Sequence, residues 1–192
     1  MPIKLLATGP RACFARPEFR TARVTYDVMT ASAARGLLEA VHWKPGIHWR
    51  VSSIAVRRPI AVRGREMFER GSAAVWLEDV EYLIEAHLDI GEDEEPTAAA
   101  GKHIDMFHRR LRQQRFFRPP HLGAMEFPAT LVDATGLDIT PTVPPGLANR
   151  DLGWMLLDYR YEKGRKVPCF FHAALEQAVL TIPDMNGPGV LS

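Results

Sequence analysis

Cysteine is nearly absent: Cys13 and Cys169 are the two thiols in 192 residues, far apart and with no partner at metal-ligand spacing. That excludes a disulfide-stapled scaffold and a thiolate zinc ribbon. Reduced thiols in the cytoplasm are the expectation, both serving as small buried hydrophobes. No run approaches the roughly 18 apolar residues that a membrane span requires, and MPIKLLATGPRACF is too short an apolar stretch for a secretory leader. No membrane partner is therefore expected. Charge of one sign is also missing: 24 Lys and Arg face 23 Asp and Glu, a net charge of +1 that announces no polyanion. There is no glycine-rich phosphate loop and no internal repeat. His48, His87, His108, His121 and His172 show no ligand spacing, so neither a metal nor a cofactor is expected.

What is present is an ordinary globular composition, 46% hydrophobic and 24% charged, enough for one substantial core. Charge is segregated rather than scarce. Arg57, Arg58, Arg63 and Arg65 cluster, more arginines follow His103, and Glu92, Asp93, Glu94 and Glu95 form an acidic run. Local potential steers a polyanion even where net charge does not, although solvated charged faces have the same composition.

Periodicity sets out the elements. Ile3 to Ala7 is a strand ended by Gly9-Pro10, and Cys13–Arg16 and Thr21–Val28 are extended around Pro17. Thr30 or Ser32 caps a helix to about Trp43, stopped by Pro45, with Ala34, Leu37, Leu38 and Val41 inward and Arg35, Glu39 and His42 on the opposite side. Ile47–Arg58 alternates as a strand. Ile60–Ser72 is a basic loop or short hairpin, and Ala74–Ile90 holds a long strand. After the acidic run, Thr97 is a plausible cap for a second helix. Arg115–Arg118 and Glu126–Val132 read as strands, Ala134–Gly153 as a loop, and Trp154–Glu162 with Cys169–Ile182 as a hairpin around Lys163-Gly164-Arg165. The tail from Pro183 is expected to be disordered. Strand, helix, strand, strand, helix, strand is the split βαβ order of a ferredoxin-like α+β domain. The expected division is residues 1–133 for that domain, 134–183 for a small C-terminal antiparallel β extension, and 184–192 for a tail.

The stretch GKHIDMFHRRLRQQRFFR, Gly101–Arg118, carries the chemistry. Ile104, Phe107 and Leu111 face a core at helical spacing. Lys102 and His103 are expected in the first turn, where unpaired N–H groups and the helix dipole favour an anion. Arg109, Arg110, Arg112, Arg115 and Arg118 extend the positive charge as candidate phosphate contacts. Phe116 and Phe117 are placed to stack on unpaired bases, though their alternation assigns one of them to the core.

Longer strings resemble a known family. ACFARPEFRTARVTYDVMTASAARGLLEAVHWKP (Ala12–Pro45), GKHIDMFHRRL (Gly101–Leu111), PPHLGAMEFPA (Pro119–Ala129) and DLGWMLLDYRYEKGRKVPCFFHAALEQAVL (Asp151–Leu180) are similar, in order, to signature blocks of the CRISPR-associated Cas-five family, subtype d. The resemblance implies a RAMP-type (RRM-like) fold. It further implies a type I-C endoribonuclease that cleaves the CRISPR repeat hairpin of pre-crRNA. Such an enzyme then stays on the crRNA 5′ handle as a subunit of the Cascade complex, beside its backbone and large subunits. Contact with target DNA near the PAM, through that complex, belongs to the same expectation. The family's tyrosine, lysine and histidine fall on His42, Lys102 and His103, so His42 is a departure. The segment from Pro59 to Trp76 is also shorter than usual; in the family it forms a hairpin that grips RNA or a neighbouring subunit.

Metal-free RNA cleavage needs a base for the 2′-OH, an acid for the leaving 5′-oxygen and positive charge on the phosphorane. Histidine, with a pKa of about 6.5, serves either proton-transfer role better than tyrosine at about 10. His42 and His103 are thus the expected proton-transfer groups and Lys102 the phosphorane stabiliser, with no metal. Arg16, Lys44, Arg109, Arg110, Arg112, Arg115, Phe116, Arg118, His121 and Gly123 are the expected RNA contacts. Gly123 would let the RNA backbone approach closely, while Trp43 reads as a hydrophobic lid on the helix end. The alternative is a non-cleaving subunit that caps the crRNA 5′ handle.

Overall fold

In the computed structural model, residues 2–19, 22–67, 73–91, 96–136, 143–162 and 164–191 are described. The acidic run at 92–95, residues 68–72 of the expected basic loop or hairpin, residues 137–142 of the expected loop and Lys163 of the expected hairpin turn lie outside them. Strand β1 (Ile3–Ala12) turns Ile3, Leu5 and Ala7 inward, as the alternation predicts. It does not stop at Gly9-Pro10, because Gly9, Arg11 and Ala12 go on pairing with Val80, Glu78 and Leu77. After the short β2 (Arg23–Val24), helix α1 (Ala31–Val41) starts on Thr30, whose Oγ1 accepts the Ala33 N–H at 3.2 Å. Ala34, Leu37, Leu38 and Val41 form its buried stripe, as their spacing requires.

Strand β3 (Ile47–Val56) buries Trp49 and Val51, then Ile54 and Val56. The phase changes because a bulge falls between Val51 and Ser53. Strand β4 (Ala61–Met67) folds back on β5 (Ala73–Ile90), so the basic segment is a hairpin arm. Several of the arginines in and before it pair within the fold: Arg57 and Arg58 with Glu81 at 2.9 and 3.3 Å, Arg58 also with Asp79, and Arg63 with Glu78 at 3.0 Å.

Helix α2 (Pro96–Arg112) leads to β6 (Thr130–Asp133). The expected strand at Arg115–Arg118 is instead an irregular segment. Gln114 takes a left-handed φ of 51°, and the Arg115 N–H reaches back to the Arg110 carbonyl at 2.9 Å, which ends α2 in a Schellman turn. Strands run in the order β6-β1-β5-β3, each antiparallel to its neighbour, with helices crossing between β1 and β3 and between β5 and β6. This is the ferredoxin-like α+β arrangement.

The C-terminal part is a long hairpin of β7 (Asn149–Glu162) and β8 (Arg165–Glu176), followed by β9 (Val179–Thr181). β9 pairs with both β8 and β3, so the hairpin continues the main sheet. The tail is ordered, contrary to expectation. Asp184 accepts the Asn186 and Gly187 N–H groups at 2.9 Å, and β10 (Val190–Leu191) pairs with Phe170 and Phe171 of β8. Tyr26 ties the two parts together, its hydroxyl accepting the Leu156 N–H at 3.2 Å; burial pushes that phenol up to about 12.

Because Thr30 is the cap that starts α1, Thr30→Ala should cost about 1 kcal/mol. Thermal unfolding should show a drop of roughly 2–4 °C, which Thr30→Ser largely restores.

Candidate active site

A helix leaves its last carbonyls unpaired. At the end of α1 they are taken up by α2 and the segment after it. The Phe117 and Arg118 N–H groups donate to the Ala40 carbonyl at 2.7 and 3.3 Å. Arg110 Nη1 donates to the Val41 carbonyl at 3.2 Å, and Arg118 Nη2 to the Gly36 carbonyl at 3.4 Å. Guanidinium groups at this end also suit the helix dipole. His42 is the C-cap, with extended backbone at φ −148° and ψ 119°, so it leaves the helical wheel. Its side chain turns inward and is 3% exposed, where helical spacing had put it outside with Arg35 and Glu39. Trp49 Nε1 holds the His42 carbonyl at 2.9 Å.

α2 begins at Pro96, so Lys102 and His103 lie in its second turn and not in its first. Proline suits the opening position of a helix, and Ala98–Ala100 propagate the turn before Gly101. Backbone N–H groups at Lys102 and His103 are therefore within the helix, and the anion-site argument from unpaired N–H groups does not apply to them. Helical spacing puts His103, Phe107 and Arg110 on one face, and Lys102 with Arg109 on another. His103 is 5% exposed, whereas Lys102 and Arg109 are exposed.

The two histidines meet. His42 Nε2 lies 3.0 Å from His103 Nδ1, with ring centroids 5.2 Å apart, so one proton sits between them. Burial, then the positive charges of Arg110, His103 and Lys44, lowers His42 to about 4. It is neutral at pH 7. In-line cleavage places base and acid on opposite sides of the phosphorus. Two nitrogens in direct hydrogen bond leave no space for a phosphate between them. As they stand, the rings form a single unit that approaches substrate from one side.

A separate groove of about 920 Å³ opens between α1, residues 13–15 after β1, β7 and the 121–126 loop, lined by Ser32, Gly36, Arg118, Gly123, Met125 and Tyr159 among others. Of the expected RNA contacts, it gathers Arg118, His121 and Gly123. His42, Lys102 and His103 lie outside it. Arg118 is ion-paired with Glu39 at 3.3 Å, and Arg23 with Glu126 at 2.9 Å, so the groove carries both signs. Arg16 is half-buried, stacked 4.3 Å over Tyr26, and Arg110 is half-buried on the end of α1. Lys44, Arg109, Arg112 and Arg115 are exposed. Phe116 packs against the core and Phe117 points out, 58% exposed. Trp43 is 43% exposed, its ring centroid 6.0 Å from that of Phe117.

Gly123 has a left-handed φ of 83°, and a Cβ there would come 2.0 Å from the Cys13 carbonyl oxygen. The close approach that this glycine permits is therefore made by the protein's own β1 end. The Cys13 N–H donates to Leu122 at 3.0 Å, and Leu122 to Phe127 at 2.8 Å, which fixes the loop. Sequence reasoning missed Trp49 and the inward role of Arg110. The second had a signal, since Arg110 follows His103 by two helical turns.

A family model for CRISPR-associated protein Cas5, subtype d, matches residues 3–183. The chain belongs to the Cas5d family. A relative from Mannheimia succiniciproducens, named CRISPR pre-crRNA endoribonuclease Cas5d, is 39% identical over 94% of this chain and 94% of its own length. One of the same name from Thermus thermophilus is 35% identical over 94% of this chain and 91% of its own length. Among solved structures, one described as a CRISPR-associated protein superposes with a TM-score of 0.80 at 25% identity, over 100% of this chain and 97% of its own. This Cas5d chain thus has the family's fold.

Two expectations follow. Gly123→Ala should destabilise the protein by more than the roughly 1–2 kcal/mol of a left-handed alanine, because the Cys13 backbone must also move; denaturant unfolding measures this. His42 has its folded pKa depressed below the unfolded value, so its contribution is complete above pH 6.5 and is lost as pH falls toward about 4. The full shift corresponds to on the order of 3 kcal/mol. Between pH 7 and 4.5, the melting temperature of the wild type should fall more steeply than that of His42→Gln.

Proposed function

We propose that this chain is a metal-independent endoribonuclease. It cleaves the repeat of pre-crRNA to a 2′,3′-cyclic phosphate and a 5′-hydroxyl, then stays on the crRNA 5′ handle as a Cascade subunit. The observation that carries this reading is the hydrogen-bonded His42–His103 pair, joined across the α1–α2 junction in a chain 39% and 35% identical to proteins named CRISPR pre-crRNA endoribonucleases. His103 is the ring that exchanges a proton with the RNA. His42, neutral, bonds Nδ1 of His103 and orients that ring. Lys102, exposed on the adjoining face of α2, stabilises the phosphorane. Contacts with the Cascade backbone and large subunits, and with target DNA near the PAM, belong to the same reading.

Both rings are covered, so substrate reaches them only after the side chains over them move. That burial favours the rival reading, a non-cleaving cap on the 5′ handle. Incubation of the purified protein with its own repeat RNA in EDTA separates the two. Cleavage should persist, follow a bell-shaped pH profile, and fall by about 10²-fold or more in His103→Ala and in Lys102→Ala. Tight binding without cleavage would establish the rival, and metal dependence would sink the proposal.

A further inference from the structure

Next to the histidine pair, two aromatic side chains stand out of the surface together. Trp43 follows His42 directly and is 43% exposed; Phe117, hung by its N–H on the Ala40 carbonyl, is 58% exposed. Their ring centroids are 6.0 Å apart with planes 40° from parallel, so they form one tilted apolar surface. Trp49 and Phe107, on β3 and α2, are by contrast buried against each other at 4.9 Å. The exposed pair is bracketed by cations. Lys44 follows Trp43, Arg115 precedes the phenylalanines and Arg118 follows them; all three are exposed. Arg118 is held by Glu39, but among the described residues neither Lys44 nor Arg115 pairs with a carboxylate.

We infer that Trp43 and Phe117 form a stacking platform for an unpaired nucleobase, with Lys44 and Arg115 holding the phosphates on either side. The inference rests on the RNA-directed reading above and adds to it a base contact at the residue following His42. An aromatic face flanked by free cations fits single-stranded nucleic acid, because every base offers a π-face and every linkage a charge. A protein partner would cover the rings equally well but would not need unpaired cations beside them. The helix end fixes the platform. Phe117 is bonded through its N–H to the Ala40 carbonyl, and Trp43 directly follows His42, the C-cap of α1 whose ring meets His103.

The test compares two strands by fluorescence anisotropy: a single-stranded octa-adenylate and an abasic oligoribonucleotide with the same number of phosphates. Trp43→Ala and Phe117→Ala should each weaken octa-adenylate binding by roughly 5- to 100-fold and leave the abasic strand unchanged. Trp43→Phe should regain most of the loss, while Lys44→Ala should weaken both strands alike. Equal octa-adenylate affinity in wild type and both alanine variants would overturn the platform. So would an equal loss of the abasic strand, or a loss of self-association on sedimentation without any change in RNA affinity. If the wild type binds neither strand, the RNA-directed reading fails as well, which separates the two failures.

Discussion

The structure depends on how the C-terminal end of α1 is closed. Three carbonyls there are taken by other parts of the chain: that of Ala40 by the Phe117 and Arg118 N–H groups, that of Val41 by Arg110 and that of His42 by Trp49. Left buried and unpaired, each would cost about 1–3 kcal/mol. Meeting that requirement forces α2 and the segment after it across the end of α1. The histidine pair results from the same closure, since His42 is the cap residue and His103 lies on the face of α2 that carries Arg110. The groove beside α1 is walled by the same Arg118.

Seen this way, the arginine track has two parts. Arg110 and Arg118 serve the helix end, Arg57, Arg58 and Arg63 serve acidic partners on β5, and Arg16 covers Tyr26. Lys44, Lys102, Arg109, Arg112 and Arg115 face outward. A net charge of +1 is thus compatible with a local positive surface, because acids such as Glu39, Glu78, Asp79 and Glu81 are paired within the fold. Charge that neutralises protein carbonyls and carboxylates is unavailable to phosphate; what remains is concentrated along α2 and the turn after it.

The strands and α1 could be read from alternation and capping because those signals are local. Thr30, the apolar stripe of α1 and the alternation of β5 each act within a few residues. The start of α2 could not, because Pro96 looked like punctuation when it is an opening residue. Arg115–Arg118 failed for another reason: its alternation is real, with Phe116 inward and Phe117 outward, but the N–H groups of Arg115, Phe117 and Arg118 go to the Arg110 and Ala40 carbonyls and not to a strand. The tail failed because a strand as short as β10 exists only where a partner such as β8 offers an edge.

For the site itself, the residue types were legible: two histidines and a lysine are sufficient chemistry for metal-free RNA cleavage, wherever the fold puts them. Their relation was not. That His42 turns inward, bonds His103 directly and stays neutral depends on a cap residue leaving the helical wheel, and on burial between elements 61 residues apart. That Gly123 is needed by the Cys13 carbonyl, and that Trp43 and Phe117 come out side by side, depends likewise on contacts between distant segments. Periodicity reports which side of an element is apolar. Only packing decides which polar groups meet there, because an unpaired carbonyl or imidazole in the interior must find its partner in space and not in sequence.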